Sequence, residues 1–207
     1  MIDTIVCVLK RSKEYDLDYV ERLVSGLRAN INPSMKINFV CLSDDDRVSK
    51  YCEYLPLPDK GYEGYWNKIS LFGCNELKGR EIMYFDLDTV IMKDITDILQ
   101  QDYSQFTMLS DFRTNVPASG LMAWKGDYQY LADQYCPSMN SQFNLSNSLG
   151  DQGYIAKYLH KQPRSFQQMF PGRICSYKLH PQQRYEASIV CFHGRPRPRD
   201  VNWDICK

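Results

Sequence analysis

Two carboxylates one residue apart, Asp86 and Asp88, stand inside the segment EIMYFDLDTVIMK, residues 81–93. Ile82 to Phe85 lead into them, and Val90 to Met92 follow at once. The pattern reads as a buried strand that ends on two acids. Carboxylates are rarely buried without a partner, so the pair implies a bound cation, nearby basic groups, or both. One intervening residue sets the two side chains on either side of a tight bend, where both can reach one divalent ion. Oxygen donors suit Mg²⁺ or Mn²⁺, which bridge protein carboxylates and substrate phosphates. The plainer alternative is a pair of strand-end aspartates that cap the next turn.

Of the three histidines, His193 is the one placed for chemistry. It follows the apolar run ASIVCF and precedes Gly194 and the alternating Arg195, Pro196, Arg197, Pro198 and Arg199. A neutral imidazole can complete a coordination that two carboxylates begin. The guanidinium forks suit phosphate oxygens, and the prolines stiffen the loop. A solvated basic tail is the alternative. Gly150-Asp151-Gln152 opens a helix; the acid and amide suit either capping or hydrogen bonding to sugar hydroxyls. Lys68, after Tyr65-Trp66-Asn67, reads equally as a surface lysine on a helix. Lys10 ends the first strand, where α/β sheets hold ligands.

The elements that must position these groups follow from periodicity. Residues 4–9 (TIVCVL) are a strand buried on both faces. Leu17, Val20, Val24 and Leu27 recur at helical spacing, with Asp16 as N-cap and a stop at Asn32-Pro33. Residues 36–42 form a second strand, so the chain starts as a right-handed βαβ unit of a parallel sheet. After an irregular stretch, 55–65, a helix is expected over 66–77, then the strand that carries the aspartates. Asp94 caps a short helix (ITDILQ). Strands are expected at 105–109, 120–124 and 187–192. Helices are expected over 126–135 and from Gly150 to about His160. Residues 137–148 read as a polar surface loop.

The 207 residues suffice for one α/β domain with a substantial core and are short for two. The 25 basic residues balance 25 acidic ones, which argues against a general nucleic-acid or membrane-surface binder. No apolar run reaches transmembrane length. Asp3 stands where a signal peptide would be positive. The eight cysteines show no CxxC pair or zinc spacing; Cys7, Cys41 and Cys191 read as core thiols of a cytoplasmic protein, in a host cytoplasm if viral. On that reading the sequon at Asn144-Leu145-Ser146 carries no meaning. The 15 tyrosines should in part line a cleft, where their hydroxyls find partners.

Taken in order, VCVLKRSKEYDLDYVERL, WNKISLF, YFDLDTVI and CFHGRPRP, with ASGLMAW and GDQGY between, resemble glycosyltransferases of the GT-A fold. The pattern is most similar to glycosyltransferase family 8 and its small bacterial and phage-type relatives. The resemblance implies an α/β fold: a single GT-A (Rossmann-like) domain over 1–207, its mostly parallel central sheet flanked by helices. It implies a metal-dependent hexosyltransferase that moves a sugar from a UDP-sugar, with retention, to a glycan, protein or small-molecule acceptor. Asp86, Asp88 and His193 would hold Mn²⁺ or Mg²⁺, with Asp86 and Leu87 against the donor. Val8, Leu9 and the loop from Lys10 to Tyr15 would hold the nucleoside. Lys68 would contact the donor, and Gly194 and Arg197 would grip the diphosphate, with Arg where the family often has Lys. Ala118, Ser119 and Gly120 would border the donor sugar. Asp151 and Gln152 would face its anomeric carbon. A front-face reaction needs no strong enzyme base; in an inverting one Asp151 is the candidate base.

Two other readings compete. Asp86-Leu87-Asp88-Thr89-Val90 literally meets the DxDx[TV] nucleophile motif of haloacid-dehalogenase-type phosphatases. That motif belongs on a first strand, however, and the later GDxxxD is broken by Ile155. A non-catalytic sugar-nucleotide-binding domain is the other reading, although both aspartates and the histidine are present.

Overall fold

The apolar runs at 4–9 and 81–85 become neighbouring strands of one sheet. The computed structural model describes residues 1–144 and 149–201. In chain order the elements are β1 (Thr4–Leu9), α1 (Leu17–Ala29), β2 (Asn38–Ser43), β3 (Glu53–Pro56), β4 (Glu81–Phe85), β5 (Thr89–Ile91), α2 (Thr96–Leu99), β6 (Thr107–Ser110), β7 (Pro117–Lys125), α3 (Tyr130–Asp133), α4 (Asn140–Asn144), α5 (Gly150–Tyr158), β8 (Arg164–Ser165), α6 (Phe166–Met169), β9 (Ile174–Ser176) and β10 (Ile189–Cys191). The main sheet has seven strands in the order β3-β2-β1-β4-β7-β6-β8. All its pairs are parallel except those made by β7, which runs against both neighbours.

Alternation along β1 sorts the core onto two faces. Ile5, Cys7 and Leu9 join one cluster with Val20, Leu23 and Leu27 of α1. Val6 and Val8 face the other, with Trp66, Ile69 and Tyr154. Cys7, Cys41 and Cys191 are buried, as their apolar surroundings imply. The chain adds β2 and β3 on one side of β1 and β4 on the other. The carboxyl ends of β1 and β4 therefore diverge, a topological switch point where α/β sheets open a crevice. Lys10 leaves β1 at that end, and Asp86 leaves β4.

The strand expected at 187–192 is shorter and belongs to a second sheet of three strands, β5-β10-β9. β10 pairs antiparallel with β5, Cys191 opposite Thr89. Asp88 precedes one strand and His193 follows just past the other, so the ladder brings both to the same end. The Phe192 amide donates to the Asp88 carbonyl at 3.0 Å.

Several local expectations change. The helix expected over 66–77 is a 3₁₀ segment, Gly64–Leu71, followed by a short 3₁₀ turn, Asn75–Leu77. The Asn67 amide donates to the carbonyls of Tyr62 and Gly64, at 3.1 and 2.9 Å, and competes with an α ladder. Trp66 to Leu71 are all buried, so tertiary contacts rather than an amphipathic stripe set the geometry. Only Tyr130–Asp133 is helical within 126–135. The strand expected at 120–124 extends over Pro117–Lys125, because pairing on both sides sustains it. The region 137–148 is not all loop: it contains a 3₁₀ turn and α4, which buries Phe143, and its residues 145–148 lie outside those described, as does most of the sequon. Asp16 holds the N-cap position of α1 without a capping bond. Asp94 accepts from the Thr96 amide at 2.6 Å, but it stands one residue ahead of the N-cap of α2, which is Ile95.

Candidate active site

Two adjoining cavities open at the switch point, of about 570 and about 540 Å³. Val8, Lys10, Tyr15, Leu87 and Tyr84 border the first. Asp88, Ser119, Asp151, Gln152, His193 and Gly194 border the second. Tyr15, Tyr65, Lys68, Asp86 and Arg197 border both and so form the shared wall. Most of the residues singled out in the sequence, from six separate segments, thus converge on one crevice.

Leu9, Ala118 and Gly120 are exceptions. Leu9 is fully buried in the cluster under α1, on the face opposite Val8. Its side chain cannot line the crevice, so the expectation of nucleoside contact is corrected to a core role. Gly120 borders neither cavity but lies beneath Asp86. Its carbonyl accepts from the Asp86 amide at 2.9 Å, and a Cβ there would sit 3.3 Å from Asp86 Oδ2. Ala118 is a partly buried residue packed on the core. Lys10 is exposed and paired with Asp44 at 3.2 Å.

Lys68 is the most enclosed cation of the site. Its ammonium lies 3.0 Å from Asp86 Oδ1 and 3.0 Å from Asp151 Oδ2, and it donates to Ser119 Oγ at 2.9 Å. Ser119 in turn donates to Asp151 Oδ2 at 2.7 Å. The Tyr84 hydroxyl donates to Asp86 Oδ1 at 2.5 Å, and its ring lies 5.2 Å from the ammonium. Burial works to lower the Lys68 pKa, but the Asp151 and Asp86 charges outweigh it and raise the pKa. This ammonium stays charged at any ordinary pH.

Asp88 sits in a different balance. Tyr15 donates to its Oδ2 at 3.1 Å, and the Arg197 guanidinium pairs with the same oxygen. Burial and the neighbouring Asp86 charge raise its pKa from 3.8 to about 7, against the pull of Arg197. Arg197 also reaches Glu14 Oε2 at 3.1 Å and lies 4.8 Å over the Tyr15 ring. Its buried Nε has no hydrogen-bond partner among the described residues. The other two arginines of the loop have their nearest carboxylates outside the crevice, Arg195 with Asp200 at 2.9 Å and Arg199 with Asp16 at 3.3 Å, though both also reach Glu14.

His193 Nε2 shares a 2.6 Å hydrogen bond with Ser176 Oγ, and its ring stacks on Phe112. Burial, then Lys178 and Arg113, lower its pKa, which favours the neutral imidazole. Among the described residues, no three His, Cys, Asp or Glu side chains are gathered as a ready metal cage. The donor set at this crevice is nonetheless of the right kind. Two carboxylates and one neutral imidazole border one cavity, and Mg²⁺-type ions commonly take only one or two carboxylates, with substrate phosphates filling other positions.

Sequence reasoning gave no role to Tyr84, Ser176 or Tyr65, and took Glu14 only as part of the loop from Lys10 to Tyr15. Only Tyr84 left a trace: it stands two residues before Asp86, on the same side of an alternating strand. The others are brought in from loops or from the far side of the second sheet.

No protein-family model matches the sequence, and no curated protein does. Solved structures do match the fold. The galactosyltransferase LgtC, solved with donor and acceptor sugar analogues, is similar at a TM-score of 0.65 and 11% identity, over 98% of this chain and 92% of its own. The glycosyltransferase GlyE of Streptococcus pneumoniae TIGR4 is similar at 0.65 and 12%, over 99% of this chain but 60% of its own. The bifunctional glycosyltransferase WbbM is similar at 0.65 and 8%, over 95% of this chain but 46% of its own. The chain therefore has the GT-A glycosyltransferase fold. It spans nearly all of LgtC and about half of the two larger enzymes. No helix among the described residues is long and apolar enough to cross a membrane.

Proposed function

We propose that the protein is a glycosyltransferase that takes a hexose from a nucleoside diphosphate sugar, with UDP as the nucleotide, and passes it to an acceptor hydroxyl. The observation that carries this is the pair of adjoining cavities joined at a wall of Asp86, Lys68 and Arg197. A donor laid across that wall has its nucleoside beside Val8, Lys10 and Tyr15 and its sugar beside Ser119, Asp151 and Gln152. Its diphosphate then falls at the wall, where the cations are. The GT-A fold supports the same reading.

Asp86, Asp88 and His193 are the residues that would hold Mn²⁺ or Mg²⁺, and the ion would offset charge on the departing diphosphate. Arg197 serves the same end from the protein: its guanidinium borders both cavities and offers planar donors to the developing negative charge. Gly194 leads the chain into that loop. In the reaction the acceptor oxygen bonds to the anomeric carbon and the carbon–phosphate oxygen bond breaks. The electron pair leaves on the diphosphate, which takes the hydroxyl proton. Asp151 is a poor candidate for a base, because Lys68 and Ser119 both occupy its Oδ2. That favours the retaining, front-face course, with Gln152 beside the sugar. The free thiols of Cys7, Cys41 and Cys191 support a reducing, cytoplasmic setting. The phosphatase reading loses ground, because Asp86 follows the fourth strand of a GT-A sheet rather than a first strand.

Calorimetry with UDP and Mn²⁺ tests the site. Binding should need the metal and weaken at least about tenfold in Asp88→Ala or His193→Ala. Equal binding in EDTA would sink the assignment of ligands. A mass-spectrometric screen of sugar nucleotides for metal-dependent turnover separates a transferase from a binding domain. Fast Mg²⁺-dependent hydrolysis of simple phosphate esters, lost in Asp86→Asn, would return the phosphatase.

A further inference from the structure

The floor of the second cavity is polar, but its outer lip is not. Tyr65 is 52% exposed and Leu149 40%, and both border this cavity. Among the described residues, the other large apolar side chains left in solvent, Met1 and Tyr185, border neither cavity. Burying a large apolar side chain is favourable, so a bare tyrosine beside reactive groups calls for a reason.

Tyr65 is bare but not loose. Its hydroxyl donates to Asn144 Oδ1 at 2.8 Å. Its ring lies on the backbone of Gly150, where a Cβ would come within 2.7 Å of Tyr65 Cε2. Gly150 has φ of 61°, so glycine suits the position for its backbone as well as for space. The ring is thus held at its hydroxyl and against Gly150 while the residue stays 52% exposed. Asp151 and Gln152 border the same cavity.

We propose that Tyr65 is the platform on which the acceptor rests, and that this acceptor is itself a sugar. The inference rests on the transferase reading and names its second substrate. A pyranose presents one face of C–H groups and a rim of hydroxyls. The C–H face matches the electron-rich face of an aromatic ring, and the rim matches a planar carboxylate and amide. The residues of the lip, Tyr65, Asn144, Leu149, Gly150 and Gln152, carry no cation, and Lys68 and Arg197 are already engaged by Asp86, Asp151, Asp88 and Glu14, so the lip does not suit a phosphorylated or acidic acceptor. An extended peptide would use an open strand edge, and Tyr65, Asn144, Leu149, Gly150 and Gln152 all lie off the strands.

Saturation-transfer NMR tests this with methyl β-galactoside and methyl β-glucoside, in the presence of UDP and Mn²⁺. At least one glycoside should bind the wild type, bind about tenfold more weakly to Tyr65→Ala, and bind normally to Tyr65→Trp, which keeps a ring. Calorimetric UDP affinity is measured on the same samples. No glycoside binding, equal binding by Tyr65→Ala, or loss of UDP and glycoside in the same proportion would each overturn the platform. So would glycosylation of a serine-containing hexapeptide in place of the glycosides. If no sugar nucleotide is turned over while Tyr65-dependent glycoside binding persists, the transferase reading falls and the platform stands. Turnover with glycoside binding indifferent to Tyr65 gives the reverse.

Discussion

The two aspartates of the DxD belong to two ion clusters that differ in kind. Asp86 shares Lys68 with Asp151, and Ser119 and Tyr84 complete the set with hydrogen bonds. The ammonium between them is buried and its charge is secured by both acids. Asp88 leans on Arg197, which also answers to Glu14, a half-exposed acid on a different loop. Its carboxyl is held near neutrality and the guanidinium keeps an unpartnered nitrogen. In the first cluster each charge is answered, so it acts as a bracket that ties the end of β4 to the start of α5. The second is open to exchange, as a site must be if a diphosphate is to take over the arginine.

Breaking the bracket should have the largest effect. Lys68→Met leaves Asp151 buried without its cation and should cost about 3 kcal/mol of stability in urea denaturation. A loss under about 1 kcal/mol would put Lys68 on the same footing as a surface pair. The open cluster should answer differently. Asp88 carries a folded pKa of about 7 against an ordinary 3.8, so between these values the folded chain keeps a proton that the unfolded chain has released. The Asp88 contribution to the stability of the donor-free protein should therefore fall as pH rises from about 4 to about 7, read as the difference between the wild type and Asp88→Asn. Difference denaturation curves across that range check the sign; a pH-independent difference would mean that Asp88 is as settled as Asp86. Smallest of all, Glu14→Gln should change stability by less than about 0.5 kcal/mol, since its pair is half in solvent. A larger change would make the Arg197 loop a structural strap rather than an exchangeable contact.

Legibility in the sequence followed the range of the interactions. β1, β4 and α1 were readable because a continuous apolar run or a helical period reports burial directly. Asp86, Asp88 and His193 were readable because polar groups at the ends of such runs must have partners. The 66–77 segment was not: its residues are buried all round, and the Asn67 side chain bends the backbone into a 3₁₀ course. Leu9 and Val8 could not be told apart as site residues, because both are apolar and only the face each takes separates core from crevice.

The sequence by itself determined where strands end and which chemistry stands at those ends. Local periodicity and the cost of burying charge suffice for that. Only the tertiary structure decided that the strand before His193 leaves the main sheet and pairs with the one after Asp88. It also decided that Lys68 binds Asp86 to Asp151, and that Tyr65 lies bare over Gly150. These are contacts between residues far apart in the chain. They depend on sheet order and register, which no local pattern encodes.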